Sequence, residues 1–441
     1  MGVLGTSWSC ECGSVHEVPT RLAVIETGAI ERLGEVFESL NLSGPVLVVS
    51  DETTREVAGR RVEGVLSDSG LSPRSFVLPG KKPRADEETA MLAAAAVETR
   101  DAAIVSVGSG TITDLSKYAA FESGLPHVAV ATAPSMNGYA SGIVALTVGG
   151  LKTTNPVKPP VAVVGDLEIL SRAPAAMIRA GLGDLISKPV AGADWKLSSI
   201  IRGEHFCMRP LELVRSLEPL YMGGADSIAR GELRAISALM EALVLSGVSM
   251  VIAGSSAPAS GGEHLISHFV DMRADLEGRT HDLHGAQVGV ATLATSRLYE
   301  RMMKLSSGAI SDRALSTAWK RGEELAARVR SIFGARAGAI LPEFERKRGE
   351  REAFEEEAKR LASRWDEVRD ALRGLLMPSS QIRAELDLAG APVHYSGVGL
   401  DAGGFRDALM CALCIRGRYT ILDAALAFGE LEEWADEIVG A

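Results

Sequence analysis

At 441 residues the chain is too long for one comfortable core, so about two domains are expected. A net charge of −11 excludes the basic face that nucleic acid or an anionic membrane would require, so a phosphorylated ligand must find its positive charge locally. Five cysteines, few and odd in number, exclude a disulfide framework; with no basic, apolar and small-residue leader in the sequence, they point to the cytoplasm.

In chain order, Cys10-Glu11-Cys12 with His16 comes first. Together with Cys411 and Cys414 it could supply a zinc site from the two ends of the chain, but neither the spacing nor the pairing is a usual zinc pattern. Buried free thiols are the expected reading. Residues 21–25 read as a strand and 28–40 as a helix. The Val-rich run 45–51, ending in Asp51, is a clearer strand, and a helix is expected over 52–66. Residues 75–78 and 102–107 repeat the strand pattern around a helical stretch at 85–99. Near-continuous apolar strands alternating with helices predict a parallel sheet covered on both faces, a doubly wound, Rossmann-like α/β domain.

Ligands in such sheets bind beyond the carboxyl ends of the strands, and three ends here carry suitable chemistry. Asp51 is placed either to accept hydrogen bonds from ribose hydroxyls or to cap the following helix. Gly108-Ser109-Gly110-Thr111 leads into a helix containing Asp114, Lys117 and Tyr118. There small residues let backbone amides close on a diphosphate, although the third glycine of the usual fingerprint is missing. The strand at 126–131 runs into Thr132-Ala133-Pro134-Ser135-Met136-Asn137-Gly138-Tyr139-Ala140-Ser141, a loop of small and hydroxyl residues fit for binding. Residues 149–154, with Lys158, read as a solvent-facing hairpin. A last strand, 161–164, ends in Gly165-Asp166, where the domain boundary is expected.

Helical periodicity takes over in a mostly α domain, 167–441, with helices expected over 232–254, 286–304, 313–333 and 350–376. The last of these, rich in both charge signs, reads as one exposed amphipathic helix. The stretch 235–254 is long enough to span a bilayer, but Glu241 and its serines make a buried core helix the better reading. Gly181-Leu182-Gly183-Asp184 reads as a tight turn opening the helical region, with Asp184 and Lys188 on one helical face. Of eight histidines, four (His264, His268, His281 and His284) fall within 264–284. Asp184 with two of them would make a three-ligand divalent-metal site with open positions, as a catalytic metal needs.

The order Asp51, Gly108-Ser109-Gly110-Thr111, Thr132-Ala133-Pro134-Ser135, Gly181-Leu182-Gly183-Asp184, His264 with His268, and His284-Gly285 resembles the sn-glycerol-1-phosphate dehydrogenases. The likeness is strongest to their bacterial AraM-like branch, within the iron-containing alcohol dehydrogenase and dehydroquinate synthase superfamily. Ala193-Asp194-Trp195 and Pro258-Ala259-Ser260-Gly261-Gly262-Glu263-His264 strengthen the likeness, which runs from about Leu42 to Asp423. It implies a dehydroquinate synthase-like fold and NAD(H) or NADP(H) held at Asp51, Gly108, Ser109, Gly110, Thr111, Asp114, Thr132, Ser135 and Ser141. It also implies one divalent metal on Asp184, His264 and His284, zinc first, with nickel or iron also suited. His268 would be a substrate and proton-relay contact, and Lys188 would help neutralise a substrate phosphate. Asn137 stands where the family commonly has an aspartate, so it can hydrogen-bond a glycerol hydroxyl but not act as a base. The expected partners are a small phosphorylated ketone or alcohol and a second copy of the chain, with no nucleic acid and no membrane span. A dehydroquinate-synthase-like cyclase and a non-catalytic binding protein are the alternatives; the aspartate at 184, where the cyclases usually have glutamate, counts against the first.

Overall fold

The computed structural model describes residues 1–80, 82–307 and 312–440. The chain divides into two compact units, one of 1–185 with 207–256 and one of 186–206 with 257–441. The sequence places its boundary at 166. Compactness instead carries the first unit on to Leu185, and returns to it a later segment that the sequence reading assigns to the helical domain.

The first unit opens with a hairpin of β1 (Ser7–Ser9) and β2 (Val15–Glu17). Its main sheet holds β3 (Leu22–Glu26), β4 (Pro45–Ser50), β5 (Ser72–Val77), β6 (Ala103–Gly108) and β7 (His127–Ala131). A second hairpin, β8 (Ile143–Val148) and β9 (Leu151–Pro156), turns on Gly149 and Gly150, whose φ values of 57° and 78° are the left-handed pair a two-residue turn needs. β10 (Ala162–Asp166) completes a six-stranded parallel sheet in the order β3-β10-β7-β6-β4-β5. The two-residue strand repeat explains why those runs are apolar throughout. Val46, Val48, Val105, Val107, Val128 and Val164 pack on one face with Leu33, Phe37, Val62 and Leu66. Leu47, Val49 and Ile104 pack on the other with Ile112, Leu115, Val144 and Leu146. Each such fully buried side chain contributes about 1.5–3 kcal/mol.

β4 has β5 on one side and β6 on the other, so the winding reverses between β4 and β6. Ligands of doubly wound sheets lie at this reversal, and the strand ends flanking it carry Asp51 and Gly108-Ser109-Gly110. The Leu233–Ala253 helix is long and apolar enough to cross a membrane, yet it is mostly buried within this unit. Its Met240 lies beneath β10 at Gly165, and its Val251 lies near Gly142.

The second unit is helical, with Lys188–Arg202, Gly262–Leu276, His284–Met302 and Asp312–Phe333 among its longer elements. The single helix expected over 350–376 is two, Arg351–Ser363 and Trp365–Arg373, separated at Arg364. The break serves burial: Trp365 is inaccessible, packs edge-on against Phe428 at 5.4 Å and donates its indole N–H to Leu305 O at 3.2 Å.

Candidate active site

β6 delivers Gly108, and Ser109 in extended conformation leads into the Gly110–Ser123 helix, whose first turn has no side-chain cap. Its leading N–H groups therefore point out of the helix toward any bound anion. Gly108 has to be glycine, since a Cβ there would lie 2.5 Å from the Cβ of Ile112. The 132–141 loop is tied to this turn, with Thr132 N–H donating to Gly108 O at 3.1 Å and Ser135 nearly buried beside it.

Asp114 and Ser141, both expected at the cofactor, are engaged through Lys117 in shaping the same loop. Lys117, almost wholly buried, donates to Gly138 O at 2.8 Å, Ile143 O at 2.6 Å and Ser141 Oγ at 3.1 Å. Asp114 pairs with that ammonium at 3.0 Å and accepts from Ala145 N–H at 3.1 Å. Sequence reasoning named Lys117 but gave it no role, although its position three residues after Asp114 is the signal for a helical ion pair. Asp51 caps its helix, with Thr54 N–H donating to its Oδ1 at 2.6 Å and Thr54 Oγ1 accepting from Asp51 N–H at 3.0 Å.

Asp184 does not open a helix. It lies near the end of the Ala175–Leu185 helix, fully buried, and Gly181 and Gly183 are helical rather than turn residues. Gly181 permits a close approach: a Cβ there would stand 1.9 Å from Pro134 O. Gly247 does the same from the Leu233–Ala253 helix, where a Cβ would be 2.5 Å from Asn137 O. Both helices can thus press on the loop, and Asn137 N–H donates to Asp184 Oδ2 at 2.9 Å while its side-chain amide reaches Ser246 Oγ at 3.3 Å. Helical structure stops at Ile186 and Ser187, so Asp184 and Lys188 do not share one continuous helix face. Lys188, also buried, donates to Ala259 O at 3.0 Å and Ser187 Oγ at 3.2 Å.

In the second unit three imidazoles gather. The ring centroids of His264 and His284 are 5.1 Å apart, those of His268 and His284 5.6 Å, and those of His264 and His268 6.4 Å. His281, weighed as a rival to His284, turns instead to Asp271 at 3.1 Å near the surface. The groups that orient the rings were not seen in the sequence. Glu263 Oε1 accepts from Gly261 N–H at 2.8 Å and stands 2.8 Å from His264 Nδ1. Ser267 Oγ donates to Gln287 Oε1 at 2.7 Å and stands 3.1 Å from His284 Nδ1. A polar group behind Nδ1 orients each ring, the kind of support that metal-ligating imidazoles commonly have. Burial pushes the Glu263 carboxyl up to about 7. Asp194, raised to about 7 by burial and then by the Glu263 charge, clamps the entry to the histidine helix by accepting from Gly262 N–H at 2.7 Å and Tyr299 OH at 2.6 Å.

Residues 24–174 match the family model of iron-containing alcohol dehydrogenases. A glycerol-1-phosphate dehydrogenase [NAD(P)+] of Bacillus licheniformis is 32% identical over 337 residues, 75% of this chain and 84% of that protein. One of Methanosarcina barkeri is 37% identical over 279 residues, 63% and 76% of the two chains. Among solved structures, a glycerol dehydrogenase of Schizosaccharomyces pombe superposes with a TM-score of 0.62, covering 95% of this chain and 90% of that one at 15% identity. The NADH-dependent butanol dehydrogenase A of Thermotoga maritima gives 0.59 over 95% and 98% at 16% identity. At such identities these two structures speak for the fold.

Proposed function

From the premise that the chain belongs to the glycerol-1-phosphate dehydrogenases, among the iron-containing alcohol dehydrogenases, we propose that it reduces dihydroxyacetone phosphate reversibly to sn-glycerol 1-phosphate with NADH or NADPH. The observation that supports this reading is the gathering of the His264, His268 and His284 rings, with Glu263 and Ser267 behind the Nδ1 atoms of His264 and His284. With Asp184 as the third ligand, these residues would hold one divalent ion; carboxylate and imidazole suit zinc, nickel or iron. When bound, that ion would polarise the ketone oxygen as a Lewis acid, and the nicotinamide would supply the hydride.

The chain's own residues then divide the remaining work. Backbone amides of Gly110 and Thr111, after Gly108 and Ser109, receive the diphosphate at the winding reversal; Asp51 faces the ribose, and Thr132, Ser135, Ser141 and Asp114 complete the cofactor loop. Asn137 orients a substrate hydroxyl through its amide, and His268 relays a proton to the nascent alcohol. Lys188 offers charge to the substrate phosphate while keeping its bond to Ala259. The working form is a cytoplasmic homo-oligomer.

The test is NAD(P)H oxidation, followed by absorbance, with metal-defined protein and dihydroxyacetone phosphate, and with the product's enantiomer identified. Turnover should require both substrate and metal, and Asp184→Ala should abolish it while leaving cofactor affinity within about twofold. Full activity in Asp184→Ala, or no net cofactor oxidation with zinc, nickel or iron, refutes the reading.

A further inference from the structure

The first twenty residues can bury almost no apolar surface, because only His16, Val18 and Thr20 among them are buried. An isolated two-stranded hairpin is marginal in water. Yet β1 and β2 pair in regular register, Ser7 with Glu17, Trp8 with His16 and Ser9 with Val15. The turn joining them is tightly bonded: Cys10 N–H donates to Ser14 O at 2.9 Å, and Gly13 N–H donates to Cys10 O at 3.0 Å. Gly13, at φ 87°, lets the chain double back between Cys12 and His16.

A fourth group arrives from far along the chain. Cys207, buried and extended, directly precedes the Met208–Arg215 helix in the same unit. One ligand atom from each of Cys10, Cys12, His16 and Cys207 lies within 4.8 Å of all the others. The Cys10 and Cys207 sulfurs are 3.7 Å apart, and His16 Nε2 is 3.3 Å from Cys12 Sγ and 3.4 Å from Cys207 Sγ. A disulfide would need about 2.05 Å. A tetrahedral zinc ion, with bonds of about 2.3 Å to sulfur and about 2.0 Å to nitrogen, requires edges of about 3.8 Å between sulfurs and about 3.5 Å between sulfur and nitrogen. These three spacings match those edges, and the other three lie within 4.8 Å.

We infer that Cys10, Cys12, His16 and Cys207 bind a structural zinc ion that fastens the amino-terminal hairpin to the start of the Met208–Arg215 helix. Four protein ligands close the coordination sphere, so this ion has no open position for substrate. The set shares no residue with Asp184, His264 and His284, and its soft thiolates select zinc over harder cations. Cys411 and Cys414, paired with the first two cysteines in the sequence reading, are instead buried in the second unit, where burial pushes the Cys411 thiol up to about 12.

Full-length protein stripped by a chelator and reloaded with cobalt(II) tests the assignment. Thiolate-to-cobalt charge-transfer absorption should appear at one equivalent per chain, because the Asp and His set contains no thiolate to produce it. Cys207→Ala, or Cys10→Ala with Cys12→Ala, should lose that band and one equivalent of zinc by elemental analysis, whereas His284→Ala should keep the band. Wild-type cobalt protein without the band overturns the proposal, needing no variant to fold. Folded Cys207→Ala that retains the full zinc content overturns it too.

Discussion

Ser267 Oγ donates to Gln287 and stands 3.1 Å from His284 Nδ1, behind that ring. Ser267→Ala removes that contact and frees the ring to rotate or change tautomer, while alanine favours the helix itself. Metal affinity should fall about 10- to 100-fold, as is usual for groups behind a ligating imidazole. Competition against a chromogenic chelator measures this, and unchanged affinity would mean that Ser267 does not hold His284 as a ligand. None of this was legible beforehand. A serine and a glutamine on separate helices look like ordinary helix residues, whereas the spacing of His264 and His268 on one face announced itself. The family resemblance alone preferred His284 to His281; what needed the fold was that His281 turns to Asp271.

Elements were legible in proportion to how completely both their faces are buried. β4, β6, β7 and β10 are buried at nearly every residue, whichever way the side chain points, and so read as apolar runs. β1 and β2, three residues each and largely exposed, carry no such pattern. The glycines at 181 and 183 suggested a turn because glycine is commonest there, but at 181 the missing side chain serves contact between a helix and the 132–141 loop. Gly181→Ala puts a carbon 1.9 Å from a carbonyl oxygen, so helix and loop must part. A loss of about 1–3 kcal/mol follows from overpacking. The separation also stretches the bond from Asn137 N–H to Asp184. Chemical denaturation and turnover should fall together in this variant; a stable, fully active Gly181→Ala protein would contradict the contact.

For the molecule as a whole, acid sensitivity has one clear contributor. His127, at the start of β7, is buried against Ser106 Oγ at 2.8 Å; burial, then the nearby Lys117 charge, holds its pKa at about 3. The unfolded chain takes up a proton near the ordinary histidine value of about 6.5, so this residue's contribution to stability is present above that pH and is lost as pH falls toward 3. Between pH 7 and pH 5 the loss is about 2 kcal/mol. His127→Asn should therefore lose less stability than wild type over that interval, by urea titration at each pH; parallel losses would show that His127 is already protonated in the folded state.

The route of the backbone carries a further consequence. The chain leaves the first unit after Leu185, comes back at Cys207 and departs again after Ser256. The helix that presses Gly247 onto the 132–141 loop is thus translated well after the last strand of the sheet. A nascent polypeptide that has cleared only its six strands emerges from the ribosome without that support, and a gene cut at codon 185 would encode the sheet without the helix that returns to it.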